Sequence, residues 1–278
     1  MIQDCTAITA AELAARLGTP DAPLLLDVRR RAVFEADTQR IAGARWRDHR
    51  LAAEWGPALP PGRPLVVYCV HGHNVSQGAV AVLRALGLPA RHLAGGIEAL
   101  RAAGGTLVAK GGGLPSAEEG PTRWVTRARP KIDRLACPWF LRRFVDPEAQ
   151  ILYVGAEWVQ ETAAEFDAIP FDVPDTAFSH QGELCSFDAF LERFGVSDPA
   201  LHAVARVVRG ADTARPDLAP EAPGLLALSL GLSAAVADDQ RLLELGMTLY
   251  DGLYAWARRA RSERHDWRPE ALPRGAAA

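Results

Sequence analysis

The run L-V-V-Y-C-V-H-G-H-N-V-S-Q-G-A-V-A-V-L-R-A-L-G, residues 65–87, constrains the fold of this chain more than any other stretch. Leu65, Val66, Val67 and Tyr68 form a short apolar, partly β-branched run and read as a buried strand. Residues 76–86 then carry Val80, Val82, Leu83 and Leu86 at helical spacing. Cys69 falls at the carboxyl end of the strand, ahead of a glycine-containing loop. The free N–H groups of that loop and the positive end of the helix dipole favour an anion there. They favour thiolate over thiol for the same reason, so Cys69 is the expected nucleophile.

The neighbouring segments repeat the alternation. Thr9 caps a helix over residues 10–17, with Glu12 completing a capping box. Residues 24–28 read as a strand ending in Asp27-Val28-Arg29, residues 91–93 as another, and Gly95-Gly96 turns into a helix over residues 97–103. Residues 1–108 therefore predict an α/β domain, a parallel sheet flanked by helices, with its site at the carboxyl ends of the strands. Residues 109–121, A-K-G-G-G-L-P-S-A-E-E-G-P, cannot bury a core and read as a linker. Residues 122–262 predict an α+β domain with a small sheet and a helical half. Its strands are expected at 123–127, 151–154, 169–173 and 177–180. Helices are expected around 139–144, at 157–166, at 187–194 capped by Ser186, at 200–209 opened by Asp198-Pro199, and at 225–237 and 239–260. Residues 263–278 form a polar tail.

The 278 residues suffice for two cores, and 49% hydrophobic with 23% charged residues is the balance of a globular protein. A net charge of −3 argues against a general nucleic-acid-binding surface. The start M-I-Q-D-C-T-A-I-T lacks a basic, then apolar, leader, and no apolar run reaches membrane-spanning length, so a cytoplasmic location without membrane association is expected. Cys5, Cys69, Cys137 and Cys185 lie far apart with no C-x-x-C pair, which argues against structural disulfides.

Four pieces of the first domain, in order, resemble the rhodanese family over residues 7–108: Asp27-Val28-Arg29, Ile41-Ala42-Gly43-Ala44, Cys69 at the nucleophile position, and Leu93-Ala94-Gly95-Gly96-Ile97. The resemblance implies that Cys69 takes sulfane sulfur as a persulfide and passes it to a thiol or cyanide; related domains hold phosphate or arsenate in the same loop. This loop departs from the family pattern C-R-x-G-x-R-[ST]. It reads C-V-H-G-H-N-V-S, without either arginine, with two histidines, and one residue longer. A longer loop makes a wider cradle from Val70, Gly72, Asn74, Val75 and Ser76, suited to a tetrahedral oxyanion. His71 and His73 are candidates to lower the Cys69 pKa or to supply a proton, or else simply face solvent. Asp27 and Arg29 are expected to brace the loop.

The second domain resembles the C-terminal domain of the ChrB family of chromate-resistance proteins over residues 122–260. The resemblance rests on W-V-T-R-A-R-P-K-I-D-R-L-A-C-P-W-F-L-R-R-F-V-D (124–146), H-Q-G-E-L-C-S-F-D-A-F (180–190), V-R-G-A-D-T (208–213) and D-D-Q-R-L-L-E-L-G-M (238–247). It implies a link to chromate or another stress oxyanion. Read from the residues, Lys131, Arg134, Arg142 and Arg143 alternate with apolar residues and are candidates for an oxyanion pocket. If a helix starts at Pro138, Cys137 becomes its N-cap and shares the anion-favouring field. His180, Glu183 and Cys185 are candidate metal ligands of a type that suits zinc or iron, with Asp212, Glu221, Asp238 and Asp239 as further carboxylates. Apolar stripes through Leu225, Leu226, Leu228, Leu232, Leu249, Leu253 and Trp256 serve a core or a homo-oligomer interface. The leading expectation is a sulfurtransferase-like protein of oxyanion stress, acting on a small sulfur donor and acceptor. A non-catalytic oxyanion sensor and a thiol-dependent oxyanion reductase are the competing readings.

Overall fold

The structure is a computed structural model that describes residues 6–110 and 120–263. Cys5, most of the expected linker (residues 111–119) and the expected tail from residue 264 lie outside the described residues.

The first domain comprises β1 (Ala7–Ile8), α1 (Ala10–Arg16), β2 (Leu24–Asp27), α2 (Arg31–Ala36), β3 (Gln39–Ile41), β4 (Arg45–Trp46), α3 (Ala52–Trp55), β5 (Leu65–Tyr68), α4 (Asn74–Ala85), β6 (Ala90–Leu93), α5 (Gly96–Ala102) and β7 (Leu107–Ala109). Five strands form a sheet in the order β1-β6-β5-β2-β4, and every pair is parallel. Strands β3 and β7 form a separate antiparallel pair. The continuous apolar character of β2 and β5 has a direct cause, because successive side chains point to opposite faces and both faces are covered. Leu25, Val66 and Tyr68 pack on one side with Leu13 and Leu100, while Leu24, Leu26, Leu65 and Val67 pack on the other with Ala79, Val80 and Leu83. The Thr9 capping box forms as the sequence predicts.

The second domain comprises β8 (Arg123–Arg127), α6 (Asp133–Phe140), β9 (Gln150–Val154), α7 (Val159–Glu165), β10 (Ile169–Pro170), α8 (Ser186–Arg193), α9 (Pro199–Asp212), α10 (Ala222–Ala235) and α11 (Asp239–Ala255). Its sheet has the order β10-β8-β9, again parallel. The core is aromatic: Trp124 lies against Phe171, Phe178 and Phe190, and Trp139 against Phe144, Phe187, Tyr250 and Tyr254. Such pairs add about 0.5–1.5 kcal/mol each beyond the area they bury. Leu225 belongs to this core, and Leu226, Leu232, Leu249, Leu253 and Trp256 pack against it, whereas Leu228 stays exposed on α10. No described helix is long and apolar enough to cross a membrane.

Several expectations for this domain need correction. The helix that carries Cys137 begins at Asp133, so Pro138 lies inside it and Cys137 is no N-cap. Pro138 has no N–H to offer the Arg134 carbonyl one turn back, and the Tyr153 hydroxyl donates to that carbonyl instead, at 3.1 Å. Residues 177–180 form no strand; Asp172 and Asp175, in the left-handed region at φ 52° and 60°, turn the chain there. Helix α8 is capped at Cys185, one residue earlier than expected, because the Ser186 hydroxyl is given to Asp172 at 2.8 Å.

The two domains pack together. Arg45, the first residue of β4, pairs with Asp146 at 2.5 Å and also with Glu148. The Gly43 N–H donates to the Phe144 carbonyl, and Asp198, the cap of α9, accepts from both Thr106 and Tyr254. Gly18, at φ 72°, lies so close to Phe144 that a Cβ would sit 2.2 Å from its ring.

Candidate active site at Cys69 and a carboxylate cluster around His180

Cys69 follows β5 at the carboxyl edge of the first sheet, as the strand–loop–helix pattern predicts. The loop turns through Gly72, at φ 72°, and α4 begins at Asn74. Two glycines let this loop nest against the one after β6. A Cβ on Gly72 would lie 2.3 Å from the Leu93 carbonyl oxygen, and one on Gly96 would lie 2.3 Å from that of Val70. The Ile97 and Glu98 N–H groups at the start of α5 donate to the carbonyls of Cys69 and Val70, and the N–H groups of Gly72, His73 and Ser76 turn toward the sulfur.

The Cys69 Sγ lies 3.2 Å from the Ser76 hydroxyl. Burial opposes ionisation of this thiol, but the Ser76 hydroxyl and the N–H groups of Ser76, His73 and Gly72 outweigh it and hold its pKa below the usual thiol value. The sulfur opens onto a pocket of about 180 Å³ lined by Arg29, Val70, His71, His73, Asn74 and Val75, among others. His71 and His73 are exposed at its rim, with ring centroids 5.9 Å apart.

Beneath the loop, Arg29 is fully buried. Its guanidinium grips both oxygens of Asp27, reaches Asp37 at 2.6 Å and donates to the Gln39 carbonyl. Asp27 in turn accepts from the Tyr68 hydroxyl at 2.9 Å, one residue before Cys69. This buried network ties the end of β2 to the end of β5 directly under the cradle.

The basic segment of the second domain does not converge. Lys131 precedes α6, and Arg134 is held by Asp172 and by the carbonyls of Arg127 and Ala128. Arg142 donates to the Ala149 carbonyl, and Arg143 grips Asp251 with two bonds, at 2.8 and 2.7 Å. The π-helical turn Leu141–Val145 after α6 breaks the register that would have aligned these side chains. Cys137 is fully buried, and burial with nearby carboxylates pushes its pKa well up, the reverse of an activated thiol.

The expected ligand set of His180, Glu183 and Cys185 also changes. Glu183 is almost fully exposed, and the Cys185 thiol is buried and donates to Asp188 at 3.4 Å. The groups that do meet His180 Nε2 are Asp212 at 3.2 Å, Asp133 at 3.3 Å and Asp172 at 3.5 Å. Asp212 was legible as a spare carboxylate; Asp133 and Asp172 carried no distinguishing local signal. The nearby Asp133 carboxylate, with the charges of Asp212 and Asp172, raises His180 to about 9 against the effect of burial. Burial and the Asp133 charge lift Asp212 to about 7. The backbone around the cluster is strained, with Arg129, Ile132, Asp172 and Ala214 all at positive φ. Ile132 is held there by the Ser229 hydroxyl on its N–H and the Tyr250 hydroxyl on its carbonyl, which presents Asp133 at the first position of α6.

Comparison with known proteins finds two domain families in this chain. Residues 9–103 match the rhodanese-like domain family, and residues 124–257 match the C-terminal domain family of ChrB. The protein ChrB of Cupriavidus metallidurans is 34% identical over 135 residues, 48% of this chain and 40% of that protein, so this chain spans well under two thirds of the relative it matches. Among solved structures, a rhodanese-related protein from Thermoplasma volcanium is 31% identical and covers 37% of this chain and 98% of its own, with a TM-score of 0.33. A rhodanese homologue from Thermus thermophilus is 32% identical over 34% of this chain and 98% of its own, with a TM-score of 0.28. Two likenesses thus divide the chain, to rhodanese-like domains in its first part and to the C-terminal domain of ChrB in its second.

Proposed function

We propose that the protein transfers sulfane sulfur through Cys69 in a response to chromate or a related oxyanion. The observation that carries this reading is the Cys69 thiol at the floor of an open cradle, with its ionisation favoured by Ser76 and the loop N–H groups. The thiolate attacks the outer sulfur of a donor such as thiosulfate. A new S–S bond forms to Cys69 while the donor's own S–S bond breaks, and sulfite leaves with that electron pair. A thiolate or cyanide then attacks the terminal sulfur of the Cys69 persulfide, takes it, and returns Cys69 as thiolate. His71 and His73, exposed at the rim, are positioned to draw an anionic donor when protonated, in place of the arginines this loop lacks. The likeness of the second domain to ChrB supports the oxyanion connection.

The absence of arginine from the loop favours one second reading, a cradle that holds an oxyanion without turning it over. A dithiol reductase is less well supported, since Cys137 and Cys185 are both fully buried in the other domain. The test is intact-mass measurement after incubation with thiosulfate, on the wild type and on Cys69→Ser. Transfer predicts a gain of one sulfur on the wild type alone, discharged by cyanide as thiocyanate. No adduct, together with saturable chromate or arsenate binding lost in Cys69→Ser, refutes transfer and leaves the sensor.

A further inference from the structure

We propose that Asp133, His180 and Asp212 form a binding site for a first-row divalent cation of the Mn²⁺, Fe²⁺ or Zn²⁺ class, where the start of α6, the loop before α8 and the end of α9 meet. Each residue offers one donor atom, and the three donors lie within 4.8 Å of one another. Two of the three approach distances are those of a coordination sphere. Ligand atoms about 2.0–2.2 Å from a metal stand about 2.8–3.6 Å from their neighbours in octahedral or tetrahedral geometry. His180 Nε2 lies 3.3 Å from Asp133 Oδ2 and 3.2 Å from Asp212 Oδ2, inside that interval.

The second, independent observation is the Asp133 carboxylate itself. Its side chain is 3% exposed, and its Oδ2, aimed at His180, is buried without a hydrogen-bond partner among the described residues. A buried carboxylate oxygen with no donor costs several kcal/mol unless something else compensates it. The fourth carboxylate is accounted for differently. Asp172 is taken by Arg127 at 2.7 Å, by Arg134 at 3.2 Å and by the Ser186 hydroxyl, so its charge is balanced by protein. Asp133 and Asp212 have no arginine or lysine on them among the described ion pairs, and one imidazole does not balance two carboxylates. A divalent cation does.

The donor set decides the class of ion. One imidazole nitrogen with two carboxylates suits a borderline or hard first-row cation rather than a thiophilic one, because the nearby thiols of Cys137 and Cys185 are not in the group. Three protein ligands leave positions open for water or an anion, and His180 is 42% exposed, which gives solvent access to the group. The inference does not rest on sulfur transfer at Cys69, and its test uses no sulfur donor.

The experiment takes the full chain, stripped with a chelator, and titrates Mn²⁺, Zn²⁺ and anaerobic Fe²⁺ by calorimetry, with Co²⁺ as a spectroscopic probe. The expected result is one ion per chain, with ligand-field bands for Co²⁺ and no thiolate charge-transfer band. Asp133→Asn, Asp212→Asn and His180→Gln are each expected to weaken binding by more than about tenfold, with the metal-free unfolding midpoint of the two partly exposed variants near that of the wild type. Should Asp133→Asn fail to fold, Asp212→Asn and His180→Gln carry the test. No stoichiometric uptake by folded wild type overturns the site, as does undiminished binding in those variants. A thiolate charge-transfer band overturns this ligand set in favour of a cysteine.

Discussion

Replacing Ser76 by alanine isolates one contact that favours the Cys69 thiolate. The Ser76 hydroxyl lies 3.2 Å from the sulfur and also 3.2 Å from the His73 carbonyl, so its single proton is shared between two acceptors. A hydrogen bond to a charged group is worth about 1.5–3 kcal/mol, and the shared proton puts this one at the low end. About 1.4 kcal/mol corresponds to a tenfold lower thiolate fraction at any pH well below the midpoint. The less acidic thiol gives a more nucleophilic thiolate, with a Brønsted slope of about 0.4–0.5, so about threefold of that loss is recovered. Alkylation of Cys69 by iodoacetamide should therefore be about threefold slower in Ser76→Ala at low pH and about threefold faster at high pH. The two pH–rate curves cross, with the variant's midpoint at higher pH. Cys5 is replaced by serine in both proteins to remove its background, and circular dichroism checks the buried substitution. Superimposable curves, or a midpoint displaced to lower pH, would falsify the assignment of Ser76 as a donor to the thiolate.

Two further substitutions probe the scaffold. Arg45→Ala leaves the buried Asp146 with only the N–H and hydroxyl of Thr122 and the Glu148 N–H, and should destabilise the protein by about 2–3 kcal/mol in urea unfolding. Despite burial, the Thr122 N–H and Arg45 hold Asp146 below the usual carboxylate range. Its contribution is thus complete above its unfolded pKa of about 3.9 and lost as pH falls through the lower folded value. The variant should accordingly show a shallower loss of stability between neutral and acid pH; an unchanged acid profile would count against the bridge. Gly96→Ala puts a Cβ 2.3 Å from the Val70 carbonyl oxygen at φ 61°, with no flexible side chain to give way. Strain and overpacking together should cost about 2–5 kcal/mol and slow Cys69 alkylation at low pH, whereas a melting temperature within a degree or two of wild type would show that the loops are not nested as described.

The first domain was largely legible because its signals are local. Four consecutive apolar residues, a glycine-containing loop and a helical stripe occupy one contiguous run, and the chemistry at Cys69 depends on backbone groups within that run. What the run did not reveal was Gly96 as the partner of Gly72, since that contact joins two loops across the sheet. In the second domain the same local reasoning misjudged Cys137. Proline is a sound marker of a helix start, but Tyr153, from another strand, covers the carbonyl that Pro138 leaves free and lets the helix run through it.

The carboxylate cluster marks the boundary most clearly. His180 was recognisable as a ligand type, yet Glu183 and Cys185 are only its neighbours along the chain. Asp133 at the start of α6 and Asp212 at the end of α9 become its neighbours in space. Composition and periodicity determined that this chain folds as two α-and-β units and that Cys69 sits where an anion is welcome. Tertiary packing decided which arginines are free, which thiols are inert and which carboxylates meet, because each outcome depends on contacts between residues far apart in the sequence, and no local pattern records those.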